Sequence, residues 1–478
     1  MNEKNPEYDA IVVGSGPNGL AAAITLQRKG VSVLLIEAKD SIGGGLRSAS
    51  LTLPGFTHDI CSAVHPLAIA SPFFTALPLK DHGLEFIYPT VGVAHPFENG
   101  GAVAVYRDIA ETAQYLGEDK STYQTVMSRI VKSWSDLLPD LLAPFHFPKH
   151  PLKLAAFGLK GLQSATTFAK RFRTTEARGL WGGMAAHSIQ PLTNAATASF
   201  GLVLLATAHA GGWPIAKGGS VSIANALSSY FVSLGGKMIT DFPVRSLNEL
   251  PSSRAILFDV TPKQLLEIAG EKFSRVYTSQ LKKYRYGMGV FKIDWALSGP
   301  IPFTASQCRQ AGTVHLGNSL EEIVKSEQES SEGKHADHPF VLLAQPSLFD
   351  HTRAPAGKHT AWAYCHVPNG STFNMTERIE QQVERFAPGF KDLILQRHVM
   401  NSVQLEAYDA NYVGGDINGG VADAKQLFTR PALKLSPYRT SAKGIYICSS
   451  STPPGGGVHG MCGYHAARRA LRDVFNVH

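Results

Sequence analysis

An α/β fold is predicted by three observations. Residues 8–37 read in register as strand, glycine turn, helix, strand and terminal acid; residues 444–474 read as strand, Gly/Pro-rich turn and helix; and 478 residues are too many for one simple core. Together they predict a Rossmann-like dinucleotide unit at the start and at least one further domain. The composition, 44% hydrophobic and 17% charged, is that of a globular protein. No run of about 18 or more uncharged apolar residues occurs, so no transmembrane helix is expected. The polar lead-in Met1 to Glu7 leaves no room for a signal peptide, and a cytoplasmic protein is expected. Five cysteines (Cys61, Cys308, Cys365, Cys448 and Cys462), never spaced Cys-x-x-Cys, argue against a disulfide framework, a zinc site or a redox dithiol. The formal charge of +7 is spread along the chain and marks no nucleic-acid groove.

Gly14 permits the tight turn out of the first strand, Gly16 lets the backbone approach a pyrophosphate, and Gly19 lets the next helix lie close on the sheet. Ser15, Pro17 and Asn18 complete the turn. The helix, Leu20 to Lys29 closed by Gly30, presents its first amides as an anion site made from backbone alone. Glu37, followed by Ala38, ends the second strand, where a carboxylate accepts from both hydroxyls of an adenosine ribose. An acid there favours FAD or NAD over NADP.

A second glycine cluster follows in Ile42-Gly43-Gly44-Gly45-Leu46-Arg47-Ser48, which a plain NAD unit does not need. With it the chain resembles the phytoene-desaturase and carotenoid-isomerase branch of the FAD-dependent oxidoreductases, which shares the glutathione-reductase type of FAD fold with the flavin amine oxidases. The resemblance implies that Gly44, Gly45, Leu46 and Arg47 pass against the pyrophosphate and flavin. The family has Gly-Gly-Arg here; Gly45 stands at the arginine position, leaving Arg47 as its candidate replacement. Pro54 to Cys61 is similar to the family segment that leads toward the flavin ring, with Cys61 where glycine is usual. His65, in the loop beyond, is either a neighbour of the flavin or a hydrogen-bonded core histidine.

From Ser71 to about Trp213 longer helical runs are expected. Leu152, Ala155, Leu159 and Leu162 recur at helical steps among Lys149, Lys153, Lys160, Lys170, Arg171 and Arg173. This basic amphipathic stretch either rests on a membrane or is a solvated helix over a core. Trp213 to Ser220 is similar to the family's Pro-x-x-Gly-Gly segment and opens a helix over residues 221–234. Residues 240–247 then carry the strand whose Val244 is implied to meet the adenine, and residues 255–260 the next buried strand.

Beyond Tyr284, Phe291, Ile293, Trp295 and Leu297 alternate with Lys292, Asp294 and Ala296, as in a half-buried strand. Residues 340–344 and 360–365 read as further strands, and the polar residues 325–338 as a surface loop. Gly414 to Ile417 resembles a family segment with no assigned chemistry. At the end, Gly455, Gly457 and Gly460 satisfy dinucleotide spacing, but no strand and acid follow, so a second nucleotide site is rejected. The family's C-terminal flavin motif fits instead. It implies that Gly456, Gly457, Val458 and His459 close over the cofactor, where a helix start stabilises negative charge on a reduced flavin. Ser451, within Ser449 to Ser451, replaces an Asp that in many relatives reaches the ribityl chain.

The resemblance implies an α/β fold in which a Rossmann-like FAD-binding domain (1–70, 214–280 and 431–478) is interleaved with a mixed α+β substrate domain (71–213 and 281–430). It implies hydride removal from a saturated carbon of an apolar substrate to form a C=C bond, with oxygen or a quinone reoxidising the flavin. His65 and His459 are the only catalytic candidates. Isomerisation, amine oxidation and a non-catalytic lipid carrier of the Rab GDP-dissociation-inhibitor type are the alternatives.

Overall fold

The computed structural model of the chain describes residues 7–477; residue 478 and residues 1–6, most of the polar lead-in, lie outside the described residues. The first elements in chain order are β1 (Tyr8–Val13), α1 (Pro17–Gln27), β2 (Val33–Ile36), β3 (Val91–Pro96), β4 (Ala102–Val105), α2 (Pro151–Gly161), α3 (Thr175–Ala186), α4 (Val221–Ser233), β5 (Lys237–Ile239) and β6 (Ser253–Phe258). They are followed by β7 (Gly289–Leu297), β8 (Ala311–Leu316), α5 (Leu320–Ser331), β9 (Val341–Ala344), β10 (His359–Val367), α6 (Thr376–Phe386), β11 (Ile394–Met400), β12 (Ile445–Ile447) and α7 (Met461–Val474).

Three distant stretches build one parallel sheet in the order β12-β6-β1-β2-β5. Ala10 pairs with Ala255 on one side and Val33 on the other. Both faces are covered, as parallel strands require. Ala10, Val12 and Leu35 pack with α1, α4 and α7, while Ile11, Ile36 and Phe258 meet Leu265 and Leu281. The edge strand β5 ends at Ile239, before the expected 240–247. Beyond it the chain carries Pro243, which has no N–H to give a ladder, and Val244 lies in irregular structure.

The second sheet runs β11-β7-β10-β9-β8-β3-β4 and is antiparallel except where β8 meets β3. Strands β3 and β4 fall inside the stretch expected to be helical. Every residue of β3 is buried, so no alternation marks it. Helix α5 replaces much of the expected loop at 325–338. Its inward side joins Leu320 and Ile323 to partnered polar groups: Ser326 Oγ accepts from Phe340 N at 2.9 Å, Ser330 Oγ donates to His366 O at 3.0 Å, and Glu327 takes the His366 ring.

Strand β7 is also not half-buried. Phe291, Ile293, Trp295 and Leu297 enter a core with Ile379, Val383 and Phe386 of α6, and Lys292 and Asp294 are buried on the opposite face. On α2, Phe157 and Gly161 point inward, whereas Leu152 and Leu159 are 85% and 76% exposed. Among the described residues no helix is long and apolar enough to cross a membrane.

Candidate active site

A cavity of about 590 Å³ runs from the β1–α1 turn to the inner face of the second sheet. At its nucleotide end Gly14 takes φ +99°, Gly16 caps α1, and Pro17 stands at the first helical turn, where its missing N–H costs nothing. A Cβ on Gly19 would lie 1.9 Å from Gly14 O, so only glycine allows the helix this close. Asp259, just beyond β6, lies beneath the turn with Oδ2 accepting from Gly19 N at 2.8 Å. Burial pushes its carboxyl up to about 7; the Gly19 amide opposes the shift, and the Asp409 and Glu37 charges add to it. Asn18 Oδ1 is buried at this end with no partner among the described residues.

Glu37 meets the same cavity, but its oxygens are already engaged. Oε2 accepts from Ser15 N at 2.9 Å and Ser15 Oγ at 2.5 Å, and Oε1 accepts from Lys39 N at 3.0 Å and Arg47 Nη2 at 2.9 Å. Arg47, the expected phosphate partner, lines the same cavity with its Nη2 in a buried ion pair to Glu37 and its Nε donating to Ser41 O at 2.9 Å. A Cβ on Gly45 would lie 2.3 Å from the Tyr412 hydroxyl, which fills the space beside it. The second glycine cluster rests on the first, with Gly43 N donating to Ser15 O and Ser15 Oγ, each at 3.1 Å.

Gly14, Ser15, Gly16, Pro17, Asn18, Glu37, Ala38, Gly44, Gly45, Arg47, His65, Val244, Gly457 and Val458 all line the cavity, although they come from four parts of the chain. Gly19, Leu46, Gly456, Ser451 and His459 stand behind its wall. Ser451 Oγ is committed to Gly419 O at 2.7 Å, and its neighbour Ser450 lines the cavity instead. His459 is corrected as a catalytic candidate. Its Nδ1 accepts from Met461 N at 3.0 Å, so Nε2 carries the proton and donates to Gly455 O at 3.2 Å; both nitrogens hold the loop that precedes α7.

His65 remains a lining residue with a fixed tautomer. Ser220 Oγ–H donates to Ser62 O at 2.5 Å, so Ser220 Oγ accepts from His65 Nε2–H at 2.9 Å and His65 Nδ1 is left as a buried lone pair. Burial pushes the ring down to about 4.

The opposite wall holds residues that the alternation pattern had assigned to solvent or core. Val290 and Lys292 of β7, Leu342 of β9, and Trp362 and Tyr364 of β10 face the cavity together with His187 and Trp213. Lys292 is ion-paired with Asp294, and its ammonium lies 5.8 Å from the Trp362 ring centroid. The sequence signal for this wall was the Lys-x-Asp alternation itself: a polar face buried within a sheet marks an interior cavity as readily as it marks solvent.

Comparison with known proteins agrees with this geometry. Residues 12–72 match the family described as the NAD(P)-binding Rossmann-like domain. Pyridine nucleotide-disulfide oxidoreductase domain-containing protein 2 of Rattus norvegicus is 26% identical over 99% of this chain and 94% of its own length. The lycopene-forming phytoene desaturase of Paracoccus sp. is 23% identical over 97% of both chains. The chain is an FAD-dependent oxidoreductase.

The fold of this oxidoreductase is shared by wild-type putrescine oxidase bound to putrescine, with a TM-score of 0.62 at 16% identity over 98% of this chain and 99% of that one. The residues present fit a dinucleotide flavin. The Gly19 approach brings backbone amides to the cavity wall, and the orphaned Asn18 oxygen needs a donor that the described residues do not supply. The non-catalytic carrier alternative gives way to the oxidoreductase kinship.

Proposed function

We propose that this oxidoreductase desaturates an apolar substrate, converting a C–C bond to C=C. The observation that supports it best is the continuity of one cavity between the glycine turn and a wall of Trp213, Leu342, Trp362 and Tyr364. On this reading the nucleotide-binding domain comprises 1–70, 214–280 and 431–478, and the substrate domain comprises 71–213 and 281–430. FAD lies against Gly14 to Asn18, Glu37, Gly44, Gly45, Val244, Gly457 and Val458. Bound FAD supplies the two-electron acceptor. The chain itself orients the substrate and keeps the site dry, and His65 lines the cavity as a neutral imidazole whose ring burial holds uncharged. Oxygen or a quinone then reoxidises the enzyme.

The test is an anaerobic screen of the FAD-loaded protein against apolar substrates and amines, followed by mass spectrometry. Bleaching of the flavin bands with a product lighter by two hydrogens supports desaturation. A product of unchanged mass supports isomerisation, and bleaching only by amines supports amine oxidation.

The substrate reaches the site from a membrane surface on this reading. Phe145 and Phe147 are 93% and 88% exposed beside the outward leucines of α2, and Lys149, Lys160 and Lys170 lie along the same stretch. Apolar side chains flanked by cations suit an anionic bilayer. The protein is expected to float with phosphatidylserine-containing vesicles, and Phe145→Ser with Phe147→Ser to leave it in the aqueous fraction.

A further inference from the structure

Three polar side chains on the far wall of the cavity, Tyr364, Trp362 and His187, leave donor capacity that the protein interior does not use. Tyr364 projects from β10 as a lining residue of the cavity, where its phenol meets the open space. Trp362, two positions earlier on the same face, has a buried Nε1–H without an acceptor among the described residues, and the two rings meet edge to face at 5.2 Å. Trp213, by contrast, lines the same cavity with its N–H satisfied by Thr313 Oγ1 at 2.9 Å. A buried indole N–H is ordinarily partnered, so the orphaned Trp362 donor beside a phenol that faces the cavity points to an acceptor brought by a ligand.

His187, just beyond α3, supplies the third. Its Nε2 lies 3.0 Å from His315 Nε2. Burial pushes the His187 ring down to about 3 and the His315 ring well below its usual range, so both are neutral and one donates to the other. His315 Nδ1 is buried without a partner and is walled by Gly183, where a Cβ would lie 2.8 Å away. A proton on that atom would be an orphaned buried N–H, which is rarer than an unused lone pair. His315 therefore carries its proton on Nε2 and donates to His187 Nε2, which leaves His187 protonated at Nδ1, the ring atom free to meet a bound molecule.

We infer that His187, Trp362 and Tyr364 form a donor site for an uncharged oxygen of the substrate, so that the molecule desaturated is an apolar chain bearing a carbonyl or hydroxyl group and not a pure hydrocarbon. The inference rests on the desaturase reading above. No net positive charge faces the site, because both histidines are neutral and Lys292 is neutralised by Asp294. A carboxylate is accordingly disfavoured. His315 is a positioning residue: it sets the tautomer of His187 and does not itself reach the cavity.

Binding of octane, octan-2-one and octanoate to the FAD-loaded protein by sealed equilibrium dialysis tests it. Comparison of variants removes the intrinsic hydrophobicity of each probe. Tyr364→Phe and His187→Leu are expected to weaken octan-2-one about tenfold each and octane less than twofold, while His187→Asn, which keeps a donor near the Nδ1 position, restores ketone binding. Equal changes for ketone and octane, no change for either, or no binding of any probe would overturn the inference, as would octanoate as the probe most weakened by Tyr364→Phe. A protein that does not take up FAD would instead sink the desaturase reading, and the same dialysis on the flavin-free protein still decides the donor site.

Discussion

Asp259 places a carboxyl directly beneath amides that the proposed function assigns to a pyrophosphate. Its native pKa of about 7 lies above the unfolded value of about 4, so the folded state holds the proton more tightly. Stability contributed by Asp259 is therefore complete below about pH 4 and is lost as the pH rises toward about 7. Asp259→Asn keeps an acceptor for Gly19 N and removes the titration. Its thermal midpoint relative to wild type is expected to climb by about 2–5 °C between pH 5 and pH 8, read by scanning calorimetry; a constant difference across that range would show that Asp259 is ionised throughout. Asp259 was hard to single out beforehand, because an acid ending an apolar strand is legible as a strand exit and its position beneath the glycine turn is a matter of tertiary approach. Glu37 was legible as the second-strand acid because its place follows from local order along the chain.

At the scale of elements, α1 is held between the parallel sheet and α7, and the fit is made backbone to backbone. A Cβ on Gly463 would lie 1.8 Å from Asn18 O. Gly463→Ala is expected to cost about 1–3 kcal/mol in urea unfolding and to weaken FAD retention, since Asn18 lines the cavity; unchanged stability and retention would mean that the helices part without consequence. The β1–α1–β2 unit and α7, whose Met461–Val474 span agrees with the sequence expectation, were legible because turn glycines and helical periodicity act locally. Helix α5 and strand β7 were not read correctly, because Glu327, Lys292 and Asp294 turn polar side chains inward to buried partners. Periodicity reports which residues are apolar, and an interior polar network inverts that signal.

Across the whole molecule, the stretch that follows the second glycine cluster is tied to the β9–β10 connection by a buried ion pair. Arg353, between β9 and β10, donates from Nη2 to Asp59 Oδ2 at 2.8 Å and from Nε to Thr57 O at 3.1 Å. Burial alone raises the Asp59 carboxyl, but the Arg353 guanidinium and donors from Ser220 and Ser48 hold it below the usual carboxylate range. Arg353→Met leaves that charge unpaired and is expected to destabilise the protein by about 3–5 kcal/mol. Adding Asp59→Asn is expected to recover most of the loss; a double variant no more stable than the single would contradict the pairing. Such a contact spans 294 residues of sequence, beyond the reach of any local pattern. The central claim, that this whole arrangement exists to hold FAD beside an apolar chamber, is tested most directly by the visible absorption spectrum of the purified protein before and after denaturation. Flavin bands that pass into the supernatant as FAD on denaturation are the predicted result; a colourless protein that also fails to take up added FAD would contradict it.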